Sequence, residues 1–280
     1  MREITAGQVI QTVAELCVRA NTQLPEDLRC AICRAKREER SPVGRAILGD
    51  LEENFTFAGE NELPICQDTG VAVVFADWGQ ECCLTGGTLE EAVNAGVAKG
   101  YVEGRLRLSV VGDPLRRVNT GNNTPAVIHL RMVPGDKVTI TVAPKGAGSE
   151  NMSALRMFNP SASREEVEDY IVSVADRAGA NPCPPVVVGV GLGGTSEAAA
   201  ELAKRALLRP AGERHPDPFY AAMEKRVLER VNRLGIGPQG LGGRTTALSA
   251  AILTQGTHIA GLPCAVNLGC HVTRHARAVL

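Results

Sequence analysis

Val186-Val187-Val188-Gly189-Val190-Gly191-Leu192-Gly193-Gly194-Thr195 is the stretch on which the fold class turns. An apolar run enters glycines and leads into an apparent helix from Thr195 to Leu208. Gly189, Gly191 and Gly194 fit G-x-G-x-x-G between strand and helix, the geometry of a dinucleotide-binding turn. The same spacing recurs at Gly235, Gly237 and Gly240, and a chain with 30 glycines produces it cheaply. The fingerprint also asks for a strand ending in an acid about 20 residues further on. Glu213 falls instead in a Pro/Gly-rich, non-strand segment, so a nicotinamide dehydrogenase is the lesser reading. The pattern points to mixed α/β with more than one small mixed sheet, flanking helices and an N-terminal helical stretch.

Outward from there, Val9, Ile10, Val13, Leu16 and Cys17 recur at helical spacing over 5–20. Further helices are expected over 26–39 and, after Ser41-Pro42, over 43–54. Gly70 to Asp77 reads as a buried strand. Thr88 with Glu91 is a capping-box signature for a helix to about Tyr101, and Ser163 with Glu166 for one to about Ala178. Ala126–Val133 and Lys137–Ala143 read as strands joined by a Pro134-Gly135-Asp136 hairpin turn. A long charged helix is expected over 217–233; the Gly-rich segment 235–243 then leads into Thr245–Leu253, and 265–268 reads as a last strand. With no repeat, low-complexity tract or linker, residues 1–280 read as one domain, two subdomains being the alternative.

Hydrophobic residues make up 44% and charged residues 22%, as in ordinary globular chains. A formal net charge of −1, without long Lys/Arg runs, gives no sign of nucleic acid or an anionic membrane as partner. Aromatic residues at 3% leave little for base stacking. No apolar run approaches the roughly 20 residues of a membrane span. Met1–Thr5 carries an acid and leads into a helical pattern, so the expected location is the cytoplasm.

Nine cysteines, an odd number, in a chain of this size argue against a disulfide scaffold. Cys66, Cys183 and Cys270 stand in Gly/Pro-punctuated loops beside apolar strands, where a thiolate can be aimed into a cleft. The others mostly occupy helix or strand positions, where cysteine is usually a small buried hydrophobe. Three thiolates are one short of the four that usually hold an iron–sulfur cube. An iron without a protein thiolate has an open position and acts as a Lewis acid. Scattered cysteines without a tight repeat do not by themselves establish such a site. Cys30-x-x-Cys33 resembles half of a zinc or redox site, but no second pair or nearby histidine completes it.

Several longer strings carry a resemblance over nearly the whole chain. Pro64-Ile65-Cys66-Gln67-Asp68-Thr69-Gly70 resembles the signature around the first cluster cysteine of class I (iron–sulfur) fumarate hydratases. The blocks Asn119–Pro125, Lys145–Asn151, Gly189–Thr195 and Gly235–Gly243 follow in family order. Together they are similar to the alpha subunit of the fumarate hydratase and L-tartrate dehydratase family, or to the N-terminal region of its single-chain members.

The resemblance implies a [4Fe-4S] cluster with three Cys ligands, Cys66, Cys183 and Cys270, and one open iron. Cys264 competes with Cys270 for the third place. It makes Asp68 the candidate base or acid, with Gln67 beside it at the substrate; the bland alternative is a polar turn before a strand. Arg107 matches the carboxylate-binding arginine of the family, with Arg105 as neighbour, and an Arg fork suits a small dicarboxylate substrate. Gly148, or Gly146, is matched to backbone contact with a carboxylate. His258 matches an active-site histidine, against a satisfied core histidine. His271, Arg274 and His275 read either as groups around Cys270 or, preferably, as exposed tail.

The implied activity is reversible hydration of fumarate to L-malate. L(+)-tartrate dehydration is the alternative, and a non-catalytic iron–sulfur module the rival from another class. The family divides its active site between two regions, so a separate beta subunit is expected, assembled as a dimer of heterodimers.

Overall fold

A computed structural model describes residues 1–280. In chain order it begins β1 (Arg2–Thr5), α1 (Ala6–Thr22), α2 (Glu26–Glu38), α3 (Pro42–Glu60), β2 (Val71–Gly79), β3 (Cys82–Thr85) and α4 (Leu89–Glu103). Then come β4 (Val127–Val133), β5 (Val138–Lys145), a short α5 (Ala147–Glu150), β6 (Ala154–Phe158) and α6 (Arg164–Ala178). It closes with β7 (Val186–Gly193), α7 (Ser196–Ala206), α8 (Pro218–Arg233), β8 (Ala247–Gln255), β9 (Leu262–Gly269) and β10 (Ala276–Val279). No helix is long and apolar enough to cross a membrane. Mixed α/β with several small sheets is thus the architecture. The chain divides into two compact units: Met1–Pro25 with Phe55–Ala147 and Arg274–Leu280, and Glu26–Asn54 with Gly148–Thr273.

In the first unit the strand order is β10-β5-β2-β4, and a two-stranded parallel sheet pairs β1 with β3. Val74, Trp78, Ile140 and Val142 of the sheet pack with Val9, Val13 and Leu16 of α1 and Val93 and Val97 of α4. Both helices open with capping boxes, Thr5/Gln8 and Thr88/Glu91, which satisfy amide groups that the first turn leaves without partners.

The hairpin expected around Pro134-Gly135-Asp136 does not form. β2 lies between β4 and β5, parallel to one and antiparallel to the other. β2 is almost wholly buried and apolar, and as a central strand it pairs its backbone on both edges. The turn instead spans the end of β2: Gly79, Gln80 and Glu81 donate their amides to the carbonyls of Lys137, Val133 and Gly135 at 2.9–3.1 Å.

In the second unit the strand order is β6-β9-β7-β8. The opening stretch is explained by period-two alternation along β7. Val186, Val188 and Val190 join Ile171 of α6 and Met223, Val227 and Val231 of α8 in one core. Gly189 and Gly191 point the other way, onto α7. A Cβ on Gly189 would stand 2.3 Å from the Ala203 carbonyl oxygen, and one on Gly191 2.0 Å from that of Ala199. The glycines therefore serve strand–helix packing, and the strand runs on to Gly193 where a phosphate loop would have turned.

Glu39, beyond the end of α2, is 1% exposed. Its carboxylate accepts the amides of Arg40, Ser41, Arg244 and Thr245 at 2.9–3.1 Å. Burial alone would raise its pKa, but these donors outweigh it and hold the carboxyl below its ordinary 4.5.

Gly191→Ala is expected to lower stability by about 1–3 kcal/mol or more through overpacking, read as a shift of the denaturant midpoint. Gly256→Ala, with nothing within 4 Å of the added Cβ, should stay within about 0.5 kcal/mol. Equal effects would contradict the packing role. A lowered folded-state pKa means that the Glu39 contribution is complete above the unfolded value and is lost as pH falls through the folded one. Acid unfolding of Glu39→Gln should accordingly show a shallower loss of stability below about pH 4.5 than the parent chain.

Candidate active site

The loop Pro64–Gly70 joins α3 to β2 in the first unit. Ile65 is buried and donates its amide to the Asn21 carbonyl, which seats the start of the loop on α1. Cys66 is half-buried; its Sγ accepts the Asp68 amide at 3.4 Å and lies 3.3 Å from Gln67 Oε1. Gln67 itself is exposed.

Asp68 is held on three sides. Its Oδ1 accepts the Gly70 amide at 3.0 Å, its Oδ2 the Ala147 amide at 2.9 Å, and its carbonyl an Arg274 Nη2 donor at 2.5 Å. The next two carbonyls are also taken. Tyr101 Oη donates to Thr69 O at 2.7 Å and approaches Gly70 O at 3.2 Å, while Asn123 Nδ2 donates to Gly70 O at 3.1 Å. Burial pushes the Tyr101 phenol well above its ordinary range, so the hydroxyl remains a donor. Asn123 is fully buried in the left-handed region (φ 61°), which asparagine tolerates better than most residues. Its Oδ1 accepts the Ser109 amide at 2.7 Å.

Thr69 Oγ1 donates to the Arg107 carbonyl at 3.0 Å, tying Arg107 to the same loop. Arg107 is exposed, as is Arg105. Of the two candidate glycines, Gly146 is the one beside Asp68: a Cβ there would come within 3.0 Å of Asp68 Oδ2. The polar turn foreseen as the bland alternative is real, and it is the device that orients the carboxylate.

In the second unit, Cys183 is exposed with φ 52°, and Cys270 is half-buried after the end of β9. His271 joins the two loops. Its amide donates to the Cys183 carbonyl at 3.3 Å, and its Nδ1 lies 3.0 Å from the same oxygen. The second glycine-rich segment clasps the Cys183 loop: Gln239 donates from N and Nε2 to the Pro184 carbonyl at 2.7 and 2.8 Å. Thr273 donates from N and Oγ1 to the Cys270 carbonyl at 3.0 and 2.7 Å.

Gly148 is exposed at the start of α5. His258 stands in the exposed turn between β8 and β9, its Nδ1 accepting the Ala260 amide at 3.1 Å, so it is no core histidine. Cys264 is completely buried in β9, and burial pushes its thiol up to about 12. Within each unit taken by itself, no three His, Cys, Asp or Glu side chains converge as a metal site would require. None of the nine cysteines forms a disulfide.

The exposed-tail reading of residues 271–275 is overturned at two positions. Arg274 is 4% exposed and hydrogen-bonded to Asp68, and His271 is bonded to Cys183. Tyr101 and Asn123 were not foreseen as parts of the site. Asn123 carried a signal, since it lies inside the Asn119–Pro125 block; Tyr101 carried none.

A mixed α/β chain with one loop thiol beside an anchored carboxylate and two further loop thiols in its second unit finds its counterpart among known families. The family model described as fumarate hydratase (Fumerase) matches residues 10–279. A protein of Methanocaldococcus jannaschii, provisionally named L(+)-tartrate dehydratase subunit alpha, is 41% identical over 275 residues, covering 96% of each chain. The L(+)-tartrate dehydratase subunit alpha of Escherichia coli strain K12 is 32% identical over 98% of this chain and 91% of its own, and that of Shigella sonnei strain Ss046 matches equally. The chain belongs to the fumarate hydratase (Fumerase) family.

Proposed function

We propose that the chain is the alpha subunit of a [4Fe-4S]-dependent hydro-lyase that interconverts fumarate and L-malate. The observation that carries this reading is the Cys66–Gly70 loop, where a thiol and a fixed carboxylate stand two residues apart and the carbonyls of Asp68, Thr69 and Gly70 are all engaged. Cys66, Cys183 and Cys270 are the proposed ligands. The donor set suits a cluster: all three thiols lie in loops outside the cores, whereas Cys17 and Cys264 are buried with thiols pushed up to about 12. This supports Cys270 over Cys264. When bound, a cube with three thiolates supplies one open iron position, a Lewis acid for substrate oxygen atoms.

Asp68 takes the proton from the carbon next to the hydroxyl-bearing one in dehydration and returns it in hydration. Its two anchored oxygens keep the carboxylate from swinging away as charge develops. Arg107 binds a substrate carboxylate through its guanidinium fork, and Gln67 donates its side-chain amide to the same ligand. Gly148 offers a backbone amide to a carboxylate, and His258, with Nδ1 occupied by Ala260, presents Nε2 for proton transfer.

The relatives' designation as subunit alpha supports a separate beta subunit, which completes the grip on the substrate. A dimer of heterodimers in the cytoplasm is the proposed assembly and location. L(+)-tartrate is the second reading, and the names of the relatives favour it.

Anaerobic reconstitution with the beta partner should give turnover of L-malate and fumarate, with Asp68→Asn reduced at least about 10²-fold in kcat. Preferential turnover of L(+)-tartrate would select the second reading. Full activity of the alpha chain alone would contradict the division of the site.

A further inference from the structure

Arg274 is a charged side chain with only 4% of its surface exposed. Withdrawing a guanidinium from water is costly unless its donors are well used. Two of them are: Nε donates to Asn21 Oδ1 at 2.9 Å and Nη2 to the Asp68 carbonyl at 2.5 Å. Asn21 is 1% exposed and is itself fixed, donating from Nδ2 to the Cys17 carbonyl inside α1 at 2.9 Å. A rigid line thus runs from α1 through Asn21 and Arg274 to the backbone of Asp68.

Sheet register explains how so distant a residue reaches this point. β10 pairs antiparallel with β5 through Ala276↔Val142. Arg274, two residues before Ala276, therefore lies at the end of β5 that leads into Lys145, Gly146 and Ala147. Ala147 donates the amide that holds Asp68 Oδ2. One strand pair delivers both the clamp on the Asp68 backbone and the clamp on its carboxylate.

We propose that Arg274 is a positioning residue for the hydro-lyase reaction, fixing the direction in which the Asp68 carboxylate points. The inference rests on the proposed role of Asp68. Arg274 works through the Asp68 carbonyl and has no part in holding the cluster. Its loss should misdirect the carboxylate while leaving cluster loading and substrate affinity in place.

Arg274→Met and the milder Asn21→Ala, which leaves the guanidinium present but unhitched, test this in the reconstituted heteromer. The expected result for Arg274→Met is a fall in kcat of about 10²-fold with KM within about threefold, because misplacement by about an ångström has that effect. Asn21→Ala should lose about tenfold in kcat. Iron and acid-labile sulfide per chain should equal those of the parent. Hydrogen exchange of the full alpha chain should show the Gly70 and Ala147 amides losing protection while those of β2 and β5 keep theirs. Arg277→Met, exposed on β10 three residues further on, should change none of these.

An unchanged kcat, or protection lost evenly across the unit, would overturn the proposal. If Arg274→Met does not fold, Asn21→Ala decides by the same readouts. Absence of turnover in the parent heteromer with fumarate, L-malate and L(+)-tartrate would instead remove the hydro-lyase reading, with the exchange arm still reporting on the clamp.

Discussion

Three successive carbonyls, those of Asp68, Thr69 and Gly70, must each find a donor, and the first unit is arranged to supply one to each. Arg274, Tyr101 and Asn123 do so from β10's approach, from α4 and from the loop before β4. A loop of this kind left to water would sample many conformations, and a carboxylate on it would point nowhere in particular. Unpaired backbone groups at that depth would also be costly. The buried Tyr101, the left-handed Asn123 and the buried charge of Arg274 are each unfavourable in isolation. They are reconciled by meeting at one short segment.

The second unit meets the same requirement differently. The backbone around Cys183 is held by Gln239, through Pro184, and by His271, while the Cys270 carbonyl is held by Thr273. Glu39 collects four amides from two separate loops and so fixes where the segment leading into β8 begins. In both units the side chains offered to chemistry are exposed or half-exposed; the groups that hold their loops are the buried Tyr101, Asn123 and Arg274 in the first unit and the half-buried Gln239, His271 and Thr273 in the second. That is the arrangement expected of a site whose reacting groups need fixed directions.

Much of the fold was legible because its signals are local. The Thr88/Glu91 and Ser163/Glu166 capping boxes mark helix starts where the structure has them. Helical spacing of Val9, Val13, Leu16 and Cys17 found α1, although the Thr5/Gln8 box before it went unread. The edge strands β1, β3, β6 and β10 were missed, since each is four or five residues long and depends on pairing with a partner. The false hairpin shows the same limit: a turn between two strands looks alike whether they pair with each other or flank a third. The alternation of valine and glycine along β7 was visible, but what the glycines face was not. For the site, the importance of Cys66, Gln67, Asp68 and Arg107 came from resemblance. Spacing alone left a polar turn as the simpler account. Arg274 had no local signal, because the burial of a charge is decided by residues some 250 positions away.

The proposed cluster rests on three loop thiols of this chain, and not on its buried ones, with one of four irons open to substrate. The most direct measurement is iron and acid-labile sulfide content after anaerobic reconstitution, with electron paramagnetic resonance before and after mild oxidation. It should be made on the parent chain and on Cys66→Ser, Cys183→Ser, Cys270→Ser and Cys264→Ser. Expected are about four irons per chain in the parent and in Cys264→Ser, a three-iron signal on oxidation as the unligated iron leaves, and severe loss of iron in the other three variants. A parent chain that binds no iron, or a Cys264→Ser variant that loses it while Cys270→Ser does not, would rule out this ligand set.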